Sequence, residues 1–300
     1  MKKKWNKYDI VIAICAAVLV TVSTILICER ISGIKADSAQ RDARKLMEQG
    51  MRNASPVRIE PVAEAPSDQS ERSEQTRPAL DPEPAESTDE EQETRDGFLL
   101  LLEQNEHFVG WLTAGESIDY PVVQDDNEYY LTRNFFDEHD KNGVPFMDEH
   151  NRLLPKDDVL IIYGHNMKSG AMFGRLRDYL DADYLSDHPV VSFRTIHDDE
   201  DVYYTPIAAF HASTFRNNRN FFDARRINFD SEETYQSYLD EVTGRSAWKA
   251  RVDAVPGDRL LVLMTCSYVY DYGRLLLVCR ELRENESPES ISALYADPVK

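Results

Sequence analysis

Leu260-Leu261-Val262-Leu263-Met264-Thr265-Cys266-Ser267-Tyr268 places a cysteine at the end of an unbroken apolar run. Such a short run bounded by polar residues has the pattern of a buried strand. Arg274 stands eight residues later and opens a second run, Leu275-Leu276-Leu277-Val278. Far upstream, Val159-Leu160-Ile161-Ile162 leads into Tyr163-Gly164-His165-Asn166-Met167. A thiol, an imidazole and a guanidinium thus each stand at the edge of a predicted strand. A scaffold holds groups rigidly there while exposing them. The thiolate is the nucleophilic form of cysteine, and a free cysteine is mostly protonated at neutral pH. A nearby imidazole and guanidinium supply activation and anion stabilisation.

Working outward from these runs, further short apolar or alternating segments occur at residues 109–112, 120–123, 144–147, 190–193 and 202–210. With the three above they make eight predicted strands. Many short strands set off by polar loops predict a mainly β fold, a sandwich or a barrel. Three helices are predicted among them. One covers residues 98–108 and one covers residues 172–180. The third covers residues 231–242, with Tyr235, Tyr238 and Leu239 at helical spacing behind an Asp230 or Ser231 cap.

The N-terminal third reads differently. Lys2, Lys3, Lys4 and Lys7 precede residues 10–28, which carry no charge. A spanning helix needs about 20 apolar residues, and no Ala-x-Ala cleavage site follows the run. It is expected to be an uncleaved anchor, with residues 1–9 a cytoplasmic basic tail and the rest outside the cell. Residues 60–96 hold 13 Asp or Glu, 3 Arg and five Pro. That composition cannot bury enough surface to offset its ordering entropy. Residues 29–96 are therefore expected to be a polar, largely disordered stalk, and residues 97–300 the catalytic domain, foldable on its own. Within the stalk, residues 39–51 show modest helical periodicity. The formal net charge of -20 argues against a nucleic-acid partner, whose backbone requires a basic surface.

Ile161-Ile162-Tyr163-Gly164-His165-Asn166-Met167-Lys168-Ser169-Gly170-Ala171-Met172-Phe173-Gly174 resembles the corresponding stretch of class B sortases, membrane-anchored cysteine transpeptidases of Gram-positive bacteria. So do Gly110-Trp111-Leu112 and Ile118-Asp119-Tyr120-Pro121-Val122-Val123-Gln124. The resemblance runs from about Phe108 to about Leu282. It implies that His165, Cys266 and Arg274 are the catalytic trio, on an eight-stranded closed barrel with a helix in the loop before the strand leading to the cysteine. The family motif usually reads Thr-Leu-x-Thr-Cys. Here Val262 replaces the first Thr, and Met264 stands where class B members often carry Ser. The resemblance also implies that Asn127 and Leu131 line the substrate groove. Thr265 is a further candidate for positioning substrate, and Tyr163 and Asn166 for shaping the turn that carries His165.

From the residue types, Cys266 would attack a peptide carbonyl and form a thioester. His165 would protonate the leaving amine, and Arg274 would hold the substrate backbone or the oxyanion. Water as the second nucleophile makes a protease; an amine makes a transpeptidase. The resemblance implies secreted proteins bearing a sorting signal as donors. Acceptors would be an amine of a peptidoglycan precursor or, for a pilus-polymerising enzyme, of a pilin. A non-catalytic, membrane-tethered binding module with the same fold is the other reading. No cofactor is expected, since phosphate-loop and dinucleotide fingerprints are missing. His139, Asp140, Asp148, Glu149 and His150 lack zinc-site spacing and are read as a solvated loop, so no metal is expected. Cys279, inside its apolar run, is read as a buried hydrophobe.

Overall fold

The predicted strands close into a single barrel. The computed structural model describes residues 7–53 and 96–296. Helix α1, Lys7–Asn53, comes first, then α2, Asp96–Gln104. The strands are β1 (Phe108–Ala114), β2 (Ile118–Val123), β3 (Phe146–Met147), β4 (Val159–Tyr163), β5 (Val191–Thr195), β6 (Tyr203–Ser213), β7 (Leu260–Cys266) and β8 (Gly273–Glu281). Helices α3 (Ala182–Asp187), α4 (Glu232–Arg245) and α5 (Pro288–Ala296) decorate them. Around the barrel the order is β1-β2-β3-β4-β7-β8-β6-β5, with β5 closing on β1.

The barrel is mainly antiparallel, but β4 and β7 pair in parallel, with Val159 opposite Leu260 and Tyr163 opposite Met264. Both strands are buried almost throughout. Leu160, Ile162, Leu261 and Leu263 face the barrel interior with Leu277 and Cys279. Val159, Ile161, Leu260 and Val262 pack outward under α4, against Tyr235, Tyr238 and Leu239. That two-sided burial explains why these runs are continuous in apolar residues rather than alternating. Helix α4 starts where Ser231 caps it, with Thr234 completing a capping box. It lies in the β6–β7 connection, before the strand that ends in Cys266.

Two expectations need correction. Residues 172–180 are not one helix. Met172 takes a left-handed backbone (φ 52°), which breaks helix continuity; a 3-10 turn over Leu176–Leu180 follows. The acid-rich segment around residues 139–150 is not a solvated loop. Asp140 and Asp148 are buried, and Asp148 Oδ2 accepts the Tyr163 hydroxyl at 2.6 Å. Burial opposes charge on Asp148, but its hydrogen bonds from Tyr163 and His150 outweigh that and hold its pKa below the ordinary range. Among the described residues no group of acids, histidines and cysteines is placed to hold a metal ion.

The stretch expected to be stalk divides. Residues 54–95 lie outside the described residues. The end of α1, however, packs on the domain. Ala43 is fully buried, and Leu46 and Met47 cover a cluster of Phe98, Leu101, Phe108 and Trp111. Gln40 donates to the Asp119 carbonyl at 2.7 Å. Arg44 pairs with the Asp119 carboxylate, whose other oxygen accepts the Trp111 indole N–H at 2.8 Å. The uncharged run 10–28 lies within α1, and the side chains of residues 10–13, 26 and 28 are outside the described ones. Among the described residues no helix is long and apolar enough to cross a membrane.

This packing predicts a cost for truncation. A chain beginning at residue 97 should fold, yet be less stable than one beginning at residue 37 by about 2–4 kcal/mol, the value of covering a few apolar side chains. Urea unfolding of the two measures it; equal midpoints would show that the helix adds nothing.

Candidate active site

The site is built where β4 and β7 end side by side. Their parallel register ends at Tyr163 and Met264, so Gly164 and His165 on one chain segment, and Thr265 and Cys266 on the other, are the next residues past it. Three hydrogen bonds tie these ends together. Gly164 N donates to the Met264 carbonyl at 3.1 Å. Thr265 Oγ1 donates to the Gly164 carbonyl at 2.6 Å. Asn166 Nδ2 donates to the Cys266 carbonyl at 2.8 Å. Thr265 is buried, and its hydroxyl proton is used in its tie to Gly164, which braces the site. Across β8, Arg274 sits directly opposite Cys266, where side chains of a strand pair stand ~5 Å apart at Cβ.

The long motif around His165 folds back on itself. Asn166 bridges to Met172, and Phe173 N donates to the His165 carbonyl at 2.9 Å. Gly164 is required here: a Cβ on it would lie 2.6 Å from Phe173 Cγ. His165 Nε2 lies 2.8 Å from the Leu131 carbonyl. A carbonyl only accepts, so Nε2 carries the proton and Nδ1 is the free ring nitrogen.

Cys266, His165 and Arg274 line one cavity of about 470 Å³, together with Asn127, Leu131 and Thr265. All six residues picked out from the sequence therefore meet at one site. Asn127 is held by its neighbours, since Nδ2 donates to Glu149 Oε1 at 3.0 Å and Oδ1 accepts from Glu149 N at 3.0 Å. Arg216 and Arg225, from the β6–α4 connection, line the same cavity, with Asp223 the carboxylate among them. A groove of positive character in so acidic a chain was not apparent from the sequence. Tyr268 and Tyr272 are largely exposed, at 90% and 68%. Cys266 is exposed and free, and Cys279 is free and fully buried, where desolvation pushes its thiol pKa far up.

The chain is similar to proteins of known family. Sortase B of Listeria monocytogenes is 35% identical over 191 residues, which cover 62% of this chain and 74% of the relative. The chain belongs to the class B sortases. Sortase B of Staphylococcus aureus is 31% identical over 182 residues, covering 60% of this chain and 71% of the relative. The solved Staphylococcus aureus sortase B–substrate complex superposes with a TM-score of 0.57 at 29% identity, over 64% of this chain and 87% of that one. No protein-family model matches the chain. The closed eight-stranded barrel, including the helix in the β6–β7 connection, is thus the sortase B fold, and these relatives place the chain in a transpeptidase family.

The two cysteines of the barrel should differ sharply toward a methanethiosulfonate reagent. Applied to the folded chain, it should label Cys266 within minutes and leave Cys279 unlabelled until denaturant is added, as peptide mapping by mass spectrometry would read. Labelling of Cys279 at the same rate would contradict its burial.

Proposed function

We propose that the chain is a cysteine transpeptidase that cleaves the C-terminal sorting signal of secreted proteins and joins the acyl part to an amine of a cell-wall precursor. The observation that carries this is one cavity lined by Cys266, His165 and Arg274, with Arg274 directly opposite Cys266 in the β7–β8 pair. That Staphylococcus aureus sortase B has been solved as a substrate complex supports a substrate-binding role for this fold.

The chemistry follows from the groups present. Cys266 Sγ, as thiolate, adds to the scissile carbonyl, and Arg274 faces the negative charge that develops on its oxygen. The C–N bond then breaks as His165, protonated at Nδ1, gives that proton to the departing amine. A thioester on Cys266 remains. The acceptor amine adds to it, His165 Nδ1 takes the amine's proton, and the C–S bond breaks to leave a new amide and the free thiolate. The Leu131 carbonyl keeps the ring oriented throughout by holding Nε2–H. An exposed cysteine at the lip of a groove, with an imidazole and a guanidinium beside it, favours this over a non-catalytic module of the same fold.

The run 10–28 would anchor the enzyme with its lysine-rich end cytoplasmic and its barrel outside. There the barrel meets both secreted donors and wall precursors.

Turnover of a fluorogenic sorting-signal peptide, with and without an added amine, tests the division of labour. Cys266→Ala should abolish cleavage and transfer. Arg274→Lys keeps the charge but loses the planar fork of donors, and should fall on the order of 10²–10³-fold in rate. Full activity of Arg274→Lys would remove the guanidinium from the mechanism, and an active Cys266→Ala would remove the thioester.

A further inference from the structure

The turn joining Cys266 to Arg274 is largely solvated at Tyr268, Val269 and Tyr272, yet its two ends must hold a reacting pair in place. Asn166 holds the Cys266 carbonyl at its start, and further ties come from the C-terminal end of β6. Ser213 Oγ donates to the Asp271 carbonyl at 2.7 Å. Thr214 donates to the Tyr272 carbonyl through its backbone N at 3.1 Å and its hydroxyl at 3.2 Å. These grip the half of the turn next to Arg274. The half next to the nucleophile is gripped by a side chain: His211 Nδ1 lies 2.8 Å from Ser267 Oγ.

Ser267 is buried, and its backbone N donates to the Gly273 carbonyl at 2.9 Å, closing the turn at its base. Ser267 Oγ also accepts from Val269 N at 3.3 Å. A hydroxyl keeps a second lone pair as well as its proton, so the neutral His211 ring bonds Ser267 Oγ in either tautomer. Burial lowers the His211 pKa and favours that neutral form. His211 lines a second cavity with Ser267 and Cys266, whereas the cavity shared by Cys266 and His165 does not include it. The brace therefore lies outside the cavity that His165 lines.

We infer that His211 is a positioning residue: its ring hydrogen-bonds the Ser267 hydroxyl and so fixes the main chain next to Cys266, holding the nucleophile in register with Arg274. This rests on the transpeptidase reading above and assigns a part of the site that the trio leaves out. A brace of this kind acts on the reaction step and not on docking of the donor, since His211 does not line the cavity that Cys266 shares with His165. Misplacing a reacting group by ~1 Å costs up to about 10²-fold in rate.

The experiment compares the full chain with His211→Ala, His211→Asn, Ser267→Ala and the double variant His211→Ala/Ser267→Ala. The readouts are kcat and KM for the fluorogenic sorting-signal peptide, and Tm. His211→Ala and Ser267→Ala should each lower kcat about tenfold with KM within about twofold of wild type. The double variant should be no worse than either single one, because both remove the same contact. His211→Asn, whose amide can replace Nδ1 as donor or acceptor, should recover most of the loss. Wild-type kcat in both alanine variants, losses that multiply in the double variant, or a loss that follows Tm and is not recovered by Asn would each overturn the inference. If the unaltered chain does not cleave the peptide, the transpeptidase reading falls and takes this inference with it; cleavage with unaffected variants overturns this inference alone.

Discussion

The parallel pairing of β4 with β7 is the constraint on which the rest of the molecule depends. It joins segments 101 residues apart and fixes their relative height to within one residue, since a slip would turn each side chain to the other face. The barrel interior and the layer under α4 enforce that register from both sides, because β4 and β7 are buried on both faces. His165 and Cys266 are simply the residues that emerge where the pairing runs out. Everything local to the site then serves to stop the two emerging ends from drifting. The Thr265 hydroxyl, the Asn166 amide and the Gly164 backbone tie them to each other, and the Leu131 carbonyl ties down the imidazole.

Much of this was legible in the sequence, and the remainder has identifiable physical reasons for being hidden. The runs 159–162, 260–264 and 275–278 announce buried strands by composition, and each became a strand of the barrel. Which strand pairs with which is a non-local property, so apolar runs alone could not show that β4 and β7 are neighbours. Leu131 was singled out for its side chain, but what it gives His165 is a main-chain carbonyl, which any residue would offer. His211 and Ser267 carry no motif at all; their contact exists because β6 and the β7–β8 turn meet in space. The helix expected over residues 172–180 failed for a backbone reason, the left-handed Met172 beside a motif that folds back onto β4. Asp148 looked solvated because acids usually are, and the Tyr163 hydroxyl that makes its burial tolerable lies fifteen residues away.

The N-terminal side adds a mechanical consequence. One helix, α1, contains the uncharged run at its start and docks on the barrel near its end, through Ala43, Leu46, Met47 and the Arg44–Asp119–Trp111 contacts. A helix rises 1.5 Å per residue, so the barrel is attached about 22–29 Å beyond residue 28 along that helix. If the run is the membrane anchor, the height and tilt of the groove above the bilayer are set by this docking and not by residues 54–95 that follow it.

The central claim is that a thioester forms on Cys266 in the pocket those strand ends create. Acid-quenching the reaction of the chain with a sorting-signal peptide, followed by mass analysis of the digested protein, tests it most directly. The account predicts that the Cys266 peptide gains the mass of the acyl part of the signal, and that the adduct disappears once an acceptor amine is supplied. Turnover of the peptide with no adduct on Cys266, or with the adduct on Cys279, would contradict it.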